Sequence, residues 1–294
     1  MLELVSVVIT TYKRELAMLE RAVNSVFNQT YPNIEVIVVD DSPSDFVYRK
    51  NISQLINGMA DSGYDIKYIP HEKNMGACAA RNTGMNIAKG TYIAFLDDDD
   101  EWLPEKIEKQ VQVMKKSDAA LVYCGSICQN DDTGKAFRKK TKFCRGDVFY
   151  ELLYSNFIES TSFPLMKLDC LKKIGGFDVL MQSSQDYDVW LRIAKEYEID
   201  YVDEPLVIYH EHSGEKITSD PKKKINGLER LNNKYQEYID SDAVLWWRRH
   251  IIVTVYYARN GEKNKALKEW YKCISRYPNR VLTNLRYLYL IIST

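Results

Sequence analysis

The sequence predicts an α/β protein with a doubly wound mixed sheet and a C-terminal helical extension. Short runs of β-branched residues alternate with amphipathic helical patterns over the first 120 residues, as in sheets with right-handed helical crossovers. From about Lys222 the pattern is helical to the end. Since 294 residues fit one large domain with an appendage, we expect one domain over residues 1–220 and a helical region over 221–294.

The first strand is expected at Leu4–Thr10, a short apolar run that ends in polar residues. Continuous apolar runs of this length are typical of strands buried in a parallel sheet. The same reasoning predicts further strands at Ile34–Val39, Ile66–Ile69, Tyr92–Leu96, Ala119–Cys124, Thr161–Met166 and Leu206–His210.

Helices are expected where apolar residues recur every three or four positions. The spacing predicts them around Leu16–Phe27, Ile52–Met59, Ala77–Ala88, from Pro104 through Met114, and at Asp186–Glu196. Residues 253–278 are expected to form two short helices hinged at Asn260-Gly261. This pair is similar to one tetratricopeptide unit, although a single copy forms no array.

Composition excludes several classes of protein. The net charge of −1 indicates no nucleic acid or other polyanionic partner. The six cysteines include no CxxC pair, so we expect reduced thiols in a cytoplasmic protein. We expect no secretory leader, and no apolar stretch reaches the roughly 20 residues that span a bilayer.

Charge is distributed unevenly between the two ends of the chain. Residues 243–294 contain ten Lys or Arg against two Glu, a net charge of +8, which leaves −9 for the rest. Basic and aromatic residues recur there at helical spacing, notably at residues 246–249 and 280–292. One interpretation is a helical subdomain with a solvated basic face. The other is a surface that binds anionic lipid on the inner face of the cell membrane.

Polar residues follow three of the predicted parallel strands, at Thr10-Thr11-Tyr12, Asp40-Asp41 and Asp97–Asp100. Ligands of α/β sheets bind beyond the carboxyl ends of the strands. Any one of these ends could be a solvated turn or a helix cap, which for Asp40-Asp41 alone is an equal alternative. Three ends on one edge favour a binding site.

The acidic run Asp97–Asp100 is the strongest single feature. Four adjacent carboxylates repel one another unless a cation offsets them, and Mg²⁺ and Mn²⁺ prefer oxygen ligands. The alternative is an N-cap cluster for the helix after Pro104, with Asp100 or Glu101 in that role.

Two further segments carry candidate residues. In residues 74–84 (NMGACAARNTG), small residues allow the start of the helix to approach another backbone or a ligand closely. Arg81 in this segment could pair with a diphosphate or with a nearby acid. Asp186 begins a helix after GGFD (175–178), where a carboxylate is either a cap or a general base. His210 and His212 follow a strand, where each is either structural or a metal ligand.

Together these motifs resemble the family 2 glycosyltransferases of the GT-A fold, a Rossmann-like class. The segments that carry the resemblance cover residues 4–215 in the family's order: VSVVITTYKR, VVDDSP, NMGACAARNTG, FLDDDDEW, GGFD and QDYDVWLR. The resemblance implies an inverting, metal-dependent transfer of a sugar from a nucleotide diphosphate donor to an acceptor hydroxyl.

The resemblance also implies roles for the first group of polar residues. Thr10, Tyr12 and Asp41 would contact the nucleoside, with Asp41 on the base. Asn74 and Arg81 would line the nucleotide pocket. UDP-hexose is the expected donor, while dTDP and GDP sugars stay open. The acceptor would be a growing surface polysaccharide or a lipid-linked oligosaccharide.

The acidic run matches the DxD motif of the family. By that match Asp97 approaches the ribose, Asp98 fills the variable position beside the nucleotide sugar, and Asp99 binds Mn²⁺ or Mg²⁺. Asp186 matches the catalytic base of inverting enzymes. His212 lies where many GT-A enzymes place a metal-contacting histidine.

Two positions depart from the family pattern. Gln185 replaces the usual glutamate before the base, which removes a charge and would lower the pKa of the base or alter acceptor contacts. Thr10 stands where many members have proline, which has little diagnostic value.

Two other functions compete with sugar transfer. A sugar-nucleotide pyrophosphorylase normally has a glycine-rich loop after its first strand, and residues 11–14 (TYKR) contain no glycine. The non-enzyme alternative is a non-catalytic sugar-nucleotide-binding or interaction module, with the C-terminal helices as its working surface. The presence of Asp186 and of the acidic run argues against it.

Overall fold

A computed structural model of the chain describes residues 2–211, 220–278 and 281–293. The chain divides into two compact units. The first comprises Met1–Phe149, Phe157–Val179 and Val189–Ser213, and the second comprises Tyr150–Asn156, Leu180–Asp188 and Gly214–Thr294. The domain boundary expected at residue 220 stays a prediction.

A single sheet forms the centre of the first unit. Nine strands lie within the described residues: β1 (Val5–Thr11), β2 (Ile34–Asp40), β3 (Ile66–Pro70), β4 (Tyr92–Asp97), β5 (Glu101–Trp102), β6 (Leu121–Asn130), β7 (Ala136–Arg138), β8 (Leu165–Lys167) and β9 (Ile199–Glu211). Their order is β3-β2-β1-β4-β8-β6-β9-β5, and β7 pairs with β6.

The sheet is mixed. Strands β3, β2, β1 and β4 run parallel, β8 is antiparallel to both its neighbours, and β9 is parallel to β6. The apolar side chains of these strands pack against helices to form a continuous core. The predicted doubly wound mixed α/β class is therefore confirmed.

Helices connect the strands as the apolar periodicity predicted. Those of the first unit are α1 (Leu16–Phe27), α2 (Arg49–Asp61), α3 (Ala77–Ile87), α4 (Lys106–Lys116) and α6 (Leu168–Lys173). Helices α5 (Phe149–Tyr154) and α7 (Gln185–Glu196) contain residues of both units.

Three predicted strands differ from the observed strands by more than one residue at an end. The strand expected at Thr161–Met166 is limited to β8, which begins directly after Pro164, a residue without the N–H that a ladder hydrogen bond needs. Strands β6 and β9 are longer than expected. They continue past Pro205 through a shift in pairing register at Gly125, where a bulge absorbs the residue that lacks an N–H.

The second unit contains the C-terminal helices. They are α8 (Pro221–Lys234), α9 (Gln236–Ser241), α10 (Ala243–Arg259), α11 (Lys263–Arg276) and α12 (Val281–Ser293). The hinge predicted at Asn260-Gly261 separates α10 from α11, with Gly261 at a φ of 76°, although α10 starts ten residues earlier than expected. The tetratricopeptide assignment stays a prediction.

The structure also describes the cysteines and the apolar character of the helices. All six cysteines are described, and none of them forms a disulfide. Among the described residues, no helix combines the length and the apolar character that crossing a bilayer requires.

Candidate active site

Three strand ends meet at one edge of the sheet. Thr10 of β1 is in register with Asp97 of β4, and Thr11 is in register with Asp40 of β2. Because these strands are parallel neighbours, their carboxyl ends present polar side chains side by side. The structure thus brings together the three ends that the sequence pattern placed on one edge.

Asp41 is buried and holds the loop that leads into α3. Its Oδ1 accepts the Met75 N–H at 2.7 Å and its Oδ2 accepts the Gly76 N–H at 2.8 Å. His71 Nδ1 lies 2.8 Å from Oδ1, and its Nε2 lies 3.0 Å from the Thr83 hydroxyl. Since a carboxylate only accepts hydrogen bonds, Nδ1 carries a proton and donates to Asp41. Three of about four acceptor positions on Asp41 are used within the chain.

The other predicted nucleoside contacts are more accessible. Tyr12 and Asn74 are both exposed, and Thr10 is half-buried. Between strand and helix, Lys13 takes a left-handed φ of 49°, and its N–H donates to Ser42 Oγ at 2.8 Å. This turn ties the end of β1 to the end of β2 and directs the next residue, Arg14, towards the acidic run.

Arg81 of α3 pairs with Asp97. Its Nη2 lies 2.9 Å from Asp97 Oδ1, so the alternative considered for Arg81, an ion pair with a nearby acid, is present. Asp97 also accepts the Thr161 hydroxyl at 3.0 Å and the Ser160 hydroxyl at 3.2 Å. Its side chain keeps 31% of its surface exposed, so it remains reachable from solvent.

Arg14 bridges the next two acids. Its Nε donates to Asp98 Oδ1 at 2.9 Å and its Nη2 donates to Asp99 Oδ2 at 3.0 Å. Asp98 is buried, and burial raises the pKa of its carboxyl to about 6. The Asp99 side chain is 23% exposed. Of these two adjacent acids, Asp99 is the one placed to meet a ligand, whereas Asp98 lies beneath it.

Neither Asp100 nor Glu101 caps the helix after Pro104, which corrects that alternative. Asp100 accepts the Ser162 hydroxyl at 2.6 Å, and burial together with neighbouring acids raises its pKa well above the ordinary value. Glu101 binds His210 instead. The residue at the start of α4, Glu105, makes no capping bond with its side chain.

His210 is not a candidate metal ligand. Its Nδ1 lies 2.6 Å from Asp131 Oδ1 and its Nε2 lies 2.8 Å from Glu101 Oε1, so carboxylates engage both ring nitrogens. His212, the predicted ligand, lies outside the described residues. Within the described ranges, no group of three or more His, Cys, Asp or Glu is arranged to hold a metal ion.

The acidic run still fits a divalent cation that shares its coordination with substrate phosphates. Such sites need only one or two carboxylates, and Asp99 is accessible. Within the part of the chain that the structure describes, two buried oxygens, Oδ2 of Asp98 and Oδ1 of Asp100, have no hydrogen-bond partner. Because adjacent carboxylates repel one another, a cation at Asp99 would offset the negative charge of the run.

The GGFD segment is bound to α3. The Asn82 side chain donates to Phe177 O and accepts from Phe177 N–H, both at 2.8 Å. A Cβ at Gly176, where φ is 65°, would lie 2.6 Å from Asn82 Oδ1, which explains the glycine. Arg192 of α7 donates to the carbonyls of Ile174 and Gly176, each at 2.6 Å. Three motifs therefore form one local structure.

Asp186 lies in the first turn of α7, within the second unit. Its Oδ1 accepts the N–H of the next residue, Tyr187, at 2.8 Å. The preceding Gln185 donates from Nε2 to Met181 O at 3.1 Å, so it supports the loop before the helix.

Sequence reasoning missed Arg14 and the run Ser160–Ser162. In the sequence, Arg14 is simply one of the polar residues that follow β1. The sequence does contain a signal for Ser160–Ser162, namely three consecutive residues with hydroxyl groups. These hydroxyl groups donate hydrogen bonds to two of the acids, Asp97 and Asp100. Runs of small hydroxyl side chains are typical of segments that satisfy buried acceptors.

A family model identifies the chain. The model described as "Glycosyl transferase family 2" matches residues 6–175, more than half of the sequence. The chain belongs to glycosyl transferase family 2. The match contains the ends of β1, β2 and β4 and the start of α3, whereas residues 176–178, α7 and His210 lie beyond it.

Curated relatives support this assignment. An uncharacterized glycosyltransferase of Methanocaldococcus jannaschii is 32% identical over 226 residues, 75% of each chain. Two Escherichia coli proteins carry the description UDP-Glc:alpha-D-GlcNAc-diphosphoundecaprenol beta-1,3-glucosyltransferase. WfgD is 31% identical over 67% of this chain and 72% of its own. WfaP is 29% identical over 88% and 94%.

A solved structure shows the same fold. The crystal structure of S. aureus TarS matches with a TM-score of 0.64 over 95% of this chain. At 16% identity, and with only 50% of the TarS chain covered, this match concerns the fold alone. This glycosyltransferase has the predicted GT-A fold with a helical C-terminal part.

Proposed function

We propose that this glycosyltransferase moves a hexose from a UDP-hexose donor to a hydroxyl group of a lipid-linked saccharide, with inversion at the anomeric carbon. The observation that carries the proposal is the clustering of Asp41, the Arg81–Asp97 pair and the accessible Asp99 at one sheet edge. The descriptions of WfgD and WfaP support the choice of donor and acceptor class.

The residues of the sheet edge would bind the donor. Tyr12 and Asn74 are exposed beside the buried Asp41, so a nucleoside could lie against them. Asp97 would approach the ribose, and Arg81 beside it would face the diphosphate. Asp99 would hold Mn²⁺ or Mg²⁺, and a cation bound there supplies charge neutralisation for the leaving diphosphate.

Asp186 would act as the general base. Its carboxylate takes the proton from the acceptor hydroxyl, whose oxygen attacks the anomeric carbon as the bond to the diphosphate breaks. The electron pair of that bond leaves with UDP. Attack from the face opposite the leaving group inverts the configuration. This role rests on the position of Asp186 in the QDYDVWLR motif, and His212 as a second metal contact rests on sequence resemblance.

The test combines turnover with binding. UDP-glucose, Mn²⁺ and a synthetic diphosphate-linked GlcNAc acceptor should yield UDP and a product whose anomeric configuration NMR identifies as inverted. Asp186→Asn should abolish transfer, while UDP affinity stays within about twofold. Retention of configuration, or loss of UDP binding in that variant, would contradict the assignment. A thermal-shift panel with UDP, dTDP and GDP sugars tests the donor.

We also propose that α11 and α12 attach the enzyme to an anionic membrane surface. Leu285, Tyr289 and Ile292 are 53%, 75% and 65% exposed, and their spacing puts them on one face of α12. On α11, Leu267 and Tyr271 are likewise exposed. Apolar faces flanked by cations are typical of helices that lie at a lipid interface.

This surface retains residues 280–292 of the region that the sequence suggested but not residues 246–249. Trp246 and Trp247 were expected to face lipid with Arg248 and Arg249, but both tryptophans and Arg249 are buried. Trp246 stacks on His250 at a centroid distance of 3.9 Å. Most of the apolar face of α10 is therefore part of the core of the second unit, whereas α11 and α12 carry the most exposed apolar residues of these three helices.

Flotation with liposomes tests the membrane proposal. Replacement of Leu285, Tyr289 and Ile292 by serine should prevent flotation with vesicles that contain phosphatidylglycerol. The control Val47→Ser removes an equally exposed apolar side chain from the first unit and should float like the wild type. Equal flotation of the triple variant would exclude this surface.

A further inference from the structure

The segment that carries Asp186 is enclosed by helices that follow it in the chain. Residues 182–188 lead into α7 and form its first turn, and within the second unit they contact α8 and α10. We propose that α8 and α10 are positioning elements, which fix this segment and thereby the direction of the Asp186 carboxylate. The inference rests on the proposed role of Asp186 as general base.

The closest contact is between Gly227 of α8 and Ser183. A Cβ at position 227 would lie 2.6 Å from Ser183 O and 3.1 Å from its carbonyl carbon. Such separations from backbone atoms are below van der Waals contact, so any larger residue would push the segment away. A glycine inside a helix costs about 1 kcal/mol relative to alanine. The close approach to Ser183, which only glycine permits, accounts for a residue that is otherwise unfavourable inside a helix.

Side chains of α8 hold the same segment. Asn226 Nδ2 donates to Gln182 Oε1 at 2.7 Å, and Lys224 Nζ lies 3.4 Å from Ser184 Oγ. Ser184 has a left-handed φ of 55°, a conformation that costs a residue with a side chain roughly 1–2 kcal/mol. The entry to α7 is therefore a turn that needs support from its surroundings.

Two cations from the C-terminal helices bind the residues directly after Asp186. Lys234 Nζ donates to Asp188 Oδ1 at 2.7 Å, and the Asp188 side chain is fully buried. Arg249 is also buried, and its Nη1 donates to the Tyr187 hydroxyl at 3.4 Å. Burial lowers the pKa of Arg249.

Tyr187 is fixed at more than one point. Its hydroxyl donates to the Leu152 carbonyl of α5, and the Arg249 guanidinium lies 5.5 Å from the centre of its ring. Arg249 is itself oriented by Asn232, whose Oδ1 accepts from Nε at 2.8 Å. The chain on both sides of Asp186 is thus held by hydrogen bonds, ion pairs and close packing.

Such a support has a direct kinetic consequence. A general base must stay within hydrogen-bond reach of the proton that it removes, and a displacement of about 1 Å can cost roughly 100-fold in rate. Because the contacts described above surround residues 182–188, weakening them should reduce kcat and leave the binding of UDP unaffected.

The sharpest test is Gly227→Ala with Gly58→Ala as its matched control. Both glycines lie inside helices, but a Cβ at Gly58 would meet nothing within 4 Å. We expect kcat to fall at least tenfold in Gly227→Ala, with the Kd for UDP within twofold of wild type. Gly58→Ala should keep wild-type kcat. Wild-type kcat in Gly227→Ala would overturn the inference.

A second pair of variants guards against simple misfolding. Lys234→Met removes the cation from Asp188, and we expect the same fall in kcat at unchanged Kd for UDP. Lys234→Arg, which keeps the charge, should restore at least half of the wild-type kcat. If kcat and UDP affinity fall together, or if arginine does not rescue, the contact is merely structural and the inference is wrong.

Asp186→Asn in the same assay separates the two proposals. An inactive Asp186→Asn beside wild-type kcat in both Gly227→Ala and Lys234→Met would overturn only the positioning role. Wild-type activity of Asp186→Asn would overturn the proposed base, and with it the positioning of that base.

Discussion

The side-chain amide of Asn82 forms two hydrogen bonds, each 2.8 Å long, with the backbone N–H and carbonyl of Phe177. The two residues are 95 positions apart, and each belongs to a different sequence motif. A backbone segment that pairs with one amide in this way is fixed in both position and orientation. The GGFD segment therefore depends on α3, which also carries Arg81.

Asn82→Ala should destabilise the first unit. The change leaves the N–H and carbonyl of Phe177 without these partners, and two such bonds contribute roughly 1–3 kcal/mol together. Urea denaturation monitored by tryptophan fluorescence measures the loss. Asn86→Ala, at an exposed position of the same helix, should change stability by less than about 0.5 kcal/mol. Equal stabilities of the two variants would contradict the structural role.

Gly84→Ala should also destabilise the protein, although alanine favours helices. A Cβ at position 84 would lie 2.9 Å from Val8 Cγ2 of β1, so α3 would have to move from the sheet. Overpacking of this kind costs roughly 1–3 kcal/mol. Differential scanning fluorimetry should show a lower Tm than in wild type. A Tm at or above the wild-type value would mean that the helix and strand have room for a methyl group.

Arg14→Met should weaken the proposed metal site. The substitution removes the guanidinium that orients Asp99 and offsets the charge of Asp98. Loss of a residue that orients a metal ligand typically costs 10- to 100-fold in affinity or activity. Electron paramagnetic resonance of Mn²⁺ in the presence of UDP measures the Kd, and Arg14→Lys should lie between Met and wild type.

The matched control for Arg14→Met is Arg138→Met. Arg138 forms an exposed ion pair with Asp203 at 3.2 Å, and exposed pairs contribute little. Its Mn²⁺ affinity should equal that of the wild type. An unchanged Kd in Arg14→Met would show that Arg14 does not support Asp99.

Lys106 should make stability depend on alkaline pH. This lysine is fully buried beneath the Trp102 ring, and burial lowers its pKa to about 8. Between pH 8 and 10.5 the unfolded chain holds the proton more tightly, so stability rises with pH. A shift of this size corresponds to a gain of roughly 3 kcal/mol in the free energy of unfolding. This gain is absent below pH 8, where Lys106 is protonated in both the folded and the unfolded chain.

Lys106→Met isolates that contribution. Subtracting the free energy of unfolding of the variant from that of wild type should leave a difference that rises by roughly 3 kcal/mol from pH 7 to 10.5. Urea titrations at several pH values measure it. A difference that stays constant with pH would show that Lys106 titrates normally.

Local pattern predicted the part of the fold that positions the candidate site. The apolar runs that became β1, β2 and β4 each lie in one short stretch, and parallel pairing brings their polar ends together. Their limits moved by only one residue at the ends that carry Thr11, Asp40 and Asp97. Elements such as α5, α6 and β5 span six residues or fewer, too short for periodicity to reveal.

Contacts between distant segments were beyond the reach of local pattern. Arg14 and Asp98 are 84 residues apart, and no property of the polar end of β1 indicates which acid its arginine meets. The burial of Lys106 was equally unpredictable from local pattern. A lysine is usually solvated, yet the Trp102 ring and Gln110 enclose the Lys106 ammonium group.

The hydrogen bonds of Asp41 matter for anyone who wishes to engineer donor preference by mutagenesis. A saturation library at this position would mix two effects, because the carboxylate that is proposed to read the base also anchors the loop before α3. Variants would lose expression and selectivity together, and the screen would report misfolding as altered specificity. Tyr12 and Asn74 are better positions for such a library, because both are exposed and their substitution should leave the fold intact.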